Sequence, residues 1–129
     1  MSSFTPVSTT KAYKPLSQYS QAVKYYGSVH TAGTIGFVPE TWAMVEGGVK
    51  EQTRQALLNI RAILEEAGSS MAHIYKANVS IMKMSDFAAM NEAWDEVFTS
   101  EAKPSRACVA VYQLPMGALV LIECSAALK

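Results

Sequence analysis

The sequence predicts one α+β domain over 1–129, with its elements in the order ββαβαββ. Three observations predict it. Apolar residues recur at helical spacing over 49–67, and Gly68 closes the run. A second, shorter stripe of the same kind runs from 85 to 98. Around the two lie short stretches rich in Val, Ile, Thr and Tyr, punctuated by Gly and Pro, which is the pattern of strands.

Each element has its own signal. Residues 14–20 are polar, contain Pro15 and read as extended. Residues 22–26 and 29–35 read as strands joined at Gly27 and Ser28 in a hairpin turn. Gly33 and Gly36 interrupt the second, pointing to a bulge or a close backbone approach. Residues 37–48, with Pro39, Gly47 and Gly48, read as a loop. In the first helix Val49, Thr53, Ala56, Leu57, Ile60, Leu64 and Ala67 fall at steps of three and four, which makes one buried stripe. Gly68 stands where a left-handed cap belongs. Residues 74–84 form a strand with Tyr75, Ala77, Val79 and Ile81 on one face. Ser85 caps a second helix whose stripe is Phe87, Met90, Trp94, Val97 and Phe98. The last two strands, 106–114 and 118–128, meet at Pro115, Met116 and Gly117. Both helices are expected on one face of the sheet.

Composition narrows the function. Eleven Lys and Arg balance eleven Asp and Glu among 129 residues. A nucleic-acid binder takes most of its affinity from neutralising phosphates, and no basic surplus or stripe is present for that. Two cysteines, Cys108 and Cys124, cannot cage a metal alone, and His30 and His73 show no ligand spacing to them. Two thiols in so apolar a chain fit a reducing compartment, the cytoplasm first and the mitochondrion second. No apolar run reaches the ~18 residues of a membrane span. No G-x-S-x-G elbow, P-loop, G-x-G-x-x-G or H-E-x-x-H motif occurs.

Two charges stand out in the apolar C-terminal strands: Arg106 and Glu123. A charge in a buried strand is costly unless paired, so each needs a reason. A structural ion pair or an exposed edge would supply one. If Pro115, Met116 and Gly117 close a hairpin pairing Leu114 with Gly117, Cys108 opposes Glu123, and Arg106 and Glu123 share a face roughly 7–8 Å apart. That gap would hold a small anion and a water. If Gly117 forms a bulge, the register slips by one, Cys108 opposes Cys124 and Glu123 turns to the other face. Both registers remain open from the sequence.

At these residues the chain resembles the RidA/YjgF family of imine deaminases, over about 9–128. Tyr19-Ser20-Gln21-Ala22-Val23 is similar to the family's P-Y-S-Q-A segment, and Ala32-Gly33-Thr34-Ile35 to its S-G-Q-I strand. The run from Glu51 to Ile60, followed by Ala67-Gly68-Ser69-Ser70, resembles its first helix. The run from Asp86 to Glu92 resembles its second. The most specific signature is Pro104-Ser105-Arg106-Ala107-Cys108-Val109, then Leu114-Pro115-Met116-Gly117-Ala118-Leu119-Val120 and Ile122-Glu123. The resemblance implies a chorismate-mutase-like fold, a homotrimer with clefts between subunits, and hydrolysis of 2-imino acids such as 2-iminopropionate to 2-keto acids without metal or cofactor. It implies that Arg106 clamps the substrate carboxylate and Glu123 orients or deprotonates the water. Tyr19 would bind that water or the departing ammonia. Gly33 would allow close backbone approach, the backbone at Cys108 would help hold the carboxylate, and Asn91 would shape the cleft. Four departures stand out: Ser17-Gln18 replaces Gly-Pro, Ala32 and Ala107 replace serines, and Leu121 sits where a glutamate is frequent. Relatives described as ribonucleases, translation inhibitors or chaperone-like binders set the rival expectations. An aminomuconate-type enamine is the rival substrate.

Overall fold

The computed structural model describes residues 3–129. In chain order these form β1 (Thr5–Val7), β2 (Ala22–Tyr25), β3 (Ser28–Thr31), β4 (Phe37–Val38), β5 (Ala43–Met44), α1 (Val49–Ala67), β6 (Ile74–Ile81), α2 (Phe87–Val97), β7 (Ser105–Ala110) and β8 (Val120–Ala127). Six strands make one mixed sheet in the order β1-β2-β3-β8-β6-β7, and β4 and β5 pair separately.

Helix α1 starts and ends where the apolar stripe does. Its predicted inward residues, from Val49 to Ala67, are all buried. Glu51 reaches back to take the Gly48 amide at 2.8 Å, so one of the unpaired donors of the first turn is satisfied. Gly68 is left-handed (φ 88°) and ends the helix. The stripe packs with Met90 and Trp94 of α2 onto Ala77, Val79 and Ile81 of β6 and Val120, Ile122, Cys124 and Ala126 of β8. Both helices thus cover one sheet face, and the other face stays open. Among the described residues no helix is long and apolar enough to cross a membrane.

Several boundaries differ from expectation. The first hairpin turns one residue earlier, at Tyr26 (φ 44°) and Gly27 (φ 80°), with Tyr25 opposite Ser28. Strand β1 and the β4–β5 pair arise in segments too short and too interrupted to carry a strand pattern. Residues 14–20 are not extended throughout, because the Tyr19 amide turns back to the Leu16 carbonyl at 3.3 Å. In β6 two residues face one on β8 between Ile74 and Lys76. That bulge turns Tyr75 outward, where it is exposed, and Ile74 takes the inner place. The second helix is preceded by a 3₁₀ turn, Met84–Asp86, so Ser85 lies inside that turn and caps nothing.

The largest correction concerns the last two strands, which do not pair with each other. Strand β6 lies between them, parallel to β7 and antiparallel to β8. The reason is the helix between β6 and β7: a strand–helix–strand unit returns its second strand parallel and beside the first. The chain then passes over the end of β6, where Val111 donates to the Ile81 carbonyl at 2.8 Å, and comes back as β8.

Candidate functional site

The strand order decides which candidate residues meet. Arg106 pairs with Ala77, and Ala77 with Cys124, so Arg106 shares the helix-covered face with Cys124. Glu123 pairs with Asn78, and Asn78 with Ala107, so Glu123 points to the open face. Neither hairpin register holds, and the expected diagonal pair of Arg106 and Glu123 does not form within the chain.

Arg106 instead sits in a setting built by α2. Phe87, Asn91 and Trp94 fall at steps of four and three and so line one side of that helix. The guanidinium carbon lies 4.8 Å from the Trp94 ring centre and 5.7 Å from that of Phe87. Arg106 Nη1 donates to Asn91 Oδ1 at 2.7 Å. Trp94 is itself held by stacking on Phe98, with centroids 4.1 Å apart. Among the described residues no carboxylate lies within ion-pair distance of Arg106; the ion pairs are Lys50–Glu92, Arg54–Glu96 and Arg61–Glu65. A half-buried cation stacked on aromatics, with donors to spare, is a place for an anion. Cys108 is two residues on, facing the same way and half-buried. Burial pushes its thiol up, and the neighbouring Arg106 charge partly offsets this.

Tyr19 and Gly33 meet elsewhere. They line a cavity of about 340 Å³ together with Tyr13, Phe37, Trp42 and Leu121. Between His30 opposite Ser125 and Thr34 opposite Ile122, three residues of one segment face two of β8. This is the bulge that Gly33 announced. A side chain at Gly33 would put its Cβ 2.7 Å from Leu121 Cδ2, so the backbone and Leu121 are in close contact there. The walls are fixed by buried polar groups. Asn59 of α1 donates to the carbonyls of Ile35 and Phe37 at 3.2 and 2.8 Å. Gln21 donates to the Thr9 and Tyr13 carbonyls and accepts from the Thr9 amide. The Tyr13 hydroxyl accepts from the Ile35 amide at 2.9 Å, and burial pushes its pKa up. Phe37 packs edge-on against both Tyr13 and Trp42.

Glu123 borders a third depression, of about 230 Å³, with His30, Lys76, Asn78 and Ser125 on the open face. Asn78 Nδ2 donates to Glu123 Oε1 at 3.0 Å, and His30 Nδ1 lies 2.8 Å from Ser125 Oγ. Alternation along β8 puts Leu121, Glu123 and Ser125 on this face. Leu121, rather than Glu123, is the β8 side chain that lines the Tyr19 cavity.

The chain therefore gathers Arg106, Asn91 and Cys108 on the helix side, and Tyr19 and Gly33 in a separate cavity, with Glu123 on the open face beside Leu121. Sequence reasoning missed Asn59, Gln21, Trp42 and Leu121 as parts of the site. Three of them left a signal: Asn59, buried here, is a polar residue at the border of the apolar stripe of α1, Gln21 lies in the segment similar to P-Y-S-Q-A, and Leu121 stands where a glutamate is frequent. Among the described residues no group of three His, Cys, Asp or Glu side chains could hold a metal.

Comparison with known proteins bears on this arrangement. The family described as Endoribonuclease L-PSP matches residues 9–128. A RutC family protein of Pyrococcus abyssi is 45% identical over 115 residues, covering 89% of this chain and 90% of its own. A protein of Dermatophagoides farinae named 2-iminobutanoate/2-iminopropanoate deaminase is 38% identical over 117 residues, 91% of each chain. The crystal structure of RidA from an Antarctic Psychrobacter superposes with a TM-score of 0.90 at 43% identity, over 95% of this chain and 98% of that one.

Proposed function

Because the chain belongs to the endoribonuclease L-PSP family, in its RidA/YjgF group, we propose that it hydrolyses 2-imino acids to 2-keto acids and ammonia. The observation that carries the proposal is Arg106: a guanidinium stacked on Trp94, tied to Asn91 and without a carboxylate partner among the described residues. Its planar fork suits a substrate carboxylate, which it would hold by two charge-assisted hydrogen bonds. The protonated imine is electrophilic already. Water adds to the imine carbon, the carbon–nitrogen bond breaks, and ammonium leaves with the protons that water gave up. Positioning and charge placement carry most of such a reaction.

The remaining groups would come from another copy of the chain. Tyr19, Gly33 and Glu123 lie away from the helix-covered face that carries Arg106, so a complete site requires two copies meeting at a cleft, as in a homotrimer. The Tyr19 hydroxyl would hold the water or the departing ammonia. Glu123 is the group to take the water's proton, acting as general base and then acid. The two thiols are free, which supports a reducing compartment such as the cytoplasm. The ribonuclease in the family's description is the rival, and the zero net charge weighs against it.

The test is keto-acid release from freshly generated 2-imino acids, wild type beside Arg106→Ala. Arg106→Ala should remain folded and lose about a hundredfold in kcat/KM, the worth of a charged hydrogen-bonding pair. Full activity in that variant would remove the clamp. Glu123→Gln should keep keto-acid affinity and slow turnover; unchanged turnover would take Glu123 out of the mechanism.

A further inference from the structure

The cavity beside Tyr19 is lined without a single charged side chain. Its polar side-chain groups are nearly all committed. The Trp42 indole N–H donates to the Lys14 carbonyl at 2.6 Å, and the Tyr13 hydroxyl holds the Ile35 amide at 2.9 Å. The Tyr19 hydroxyl and the remaining O–H of Tyr13 are left to serve a ligand. Around the opening stand four large side chains from three segments of the chain: Leu16 (45 % exposed), Tyr19 (45 %), Trp42 (40 %) and Met116 (50 %). Single exposed apolar residues need no explanation, but four converging on one concavity of about 340 Å³ do. Leu121 forms its floor against Gly33.

We propose that this cavity receives the side chain of the substrate and selects 2-imino acids with large apolar side chains, those derived from leucine, methionine or phenylalanine, with Leu121 and Trp42 as the determinants. The assignment rests on the deaminase reading above. The methyl group of 2-iminopropionate would leave most of the cavity wet. An isobutyl or benzyl group would displace that water from apolar walls, which is the favourable exchange. Each methylene buried in such a pocket discriminates by about tenfold or more.

The experiment has two arms. In the first, imines generated from alanine, leucine and phenylalanine by an amino-acid oxidase compete for the full-length protein, and kcat/KM ratios are read. In the second, 4-methyl-2-oxopentanoate and pyruvate are titrated calorimetrically against wild type, Leu121→Glu and Trp42→Ala. Leucine and phenylalanine imines should be hydrolysed at least about tenfold better than the alanine imine. The larger keto acid should bind more tightly by a similar factor, and either variant should erase the preference. Two variants guard against one that fails to fold, and circular dichroism checks both. Equal or better use of the alanine imine would overturn the selectivity while the deaminase reading stands. Binding of the larger keto acid with no hydrolysis of any imine would keep the pocket assignment and sink the deaminase reading. Absence of both binding and hydrolysis would overturn the two together.

Discussion

Around Arg106, one helix makes the surroundings: Phe87, Asn91 and Trp94 come from three successive turns of α2, and the ligand group they prepare is a charge. Around Tyr19, no element dominates. Tyr13, then Gly33, Phe37 and Trp42, and finally Leu121 arrive from three separate stretches, and what they prepare is a shape. The first place is stiff because aromatic rings stack; the second is stiff because buried amides such as Asn59 and Gln21 pin backbone carbonyls. Damage to the first should therefore appear as lost affinity for the carboxylate. Damage to the second should appear as changed selectivity.

The largest effect is expected at Trp94. It is 6 % exposed and packs on Phe98 below and Arg106 above. Trp94→Ala should cost about 3–5 kcal/mol of stability, as for other buried aromatics cut to alanine, measurable by denaturant unfolding. Trp94→Phe should retain the fold and lower kcat/KM by about tenfold through a weaker cation–π contact, mostly as a rise in KM. If KM stays put in the folded Phe variant, Trp94 is packing alone and does not position Arg106.

Asn59→Ala comes next. It strips a donor from the Ile35 and Phe37 carbonyls in a buried setting, which costs about 1–3 kcal/mol. The preference between large and small imino acids should narrow as the Phe37 wall loosens, while Arg106-dependent affinity stays. An Asn59→Ala protein with lowered stability and untouched selectivity would show that the wall is held by Tyr13 and Trp42 instead. Gly33→Ala should act more gently. Its new methyl meets the flexible end of Leu121, which can move aside into the cavity. Large imino acids should lose a few-fold in kcat/KM and small ones little. Adding Leu121→Ala should restore the large ones, because the two substitutions then no longer collide.

The same contrast explains what could be read in the sequence. Helix α1 was legible to the residue because its stripe and its glycine cap are local signals. Arg106 drew attention because a charge in an apolar strand demands a partner, and the structure gives it Asn91 and the Trp94 ring in place of Glu123. The Tyr19 cavity was not, since apolar residues scattered from Tyr13 to Leu121 carry no spacing that marks them as neighbours. The pairing of β7 with β6 could have been found: the helix between them implied a parallel neighbour. The Pro115-Met116-Gly117 turn looked like a hairpin and outweighed it, and with it went the expected meeting of Arg106 and Glu123. The fold class survived that error because it depends on element order and on which faces are apolar, both of which are local.

The smallest expected effect uses the cysteines to report on the Arg106 side alone. Cys124 is buried, and its thiol is pushed up to about 12, chiefly by that burial with Glu123 adding to it. At pH 8 only about one molecule in ten thousand would carry the thiolate there. Iodoacetamide should therefore leave Cys124 unmodified until the protein unfolds. Cys108 is half-buried, raised by desolvation but pulled back by the Arg106 charge. It should label slowly at pH 8, and Arg106→Ala should slow it further, because removing the positive charge raises the thiol pKa and lowers its thiolate fraction. Tyr19→Phe should leave the rate nearly unchanged, since it alters no charge beside the thiol even where two copies meet. Faster labelling in Arg106→Ala would mean that the guanidinium acts on Cys108 as a steric cover more than as a charge. The carboxylate clamp would then have to be argued from the Trp94 stack and the Asn91 hydrogen bond without the help of that field.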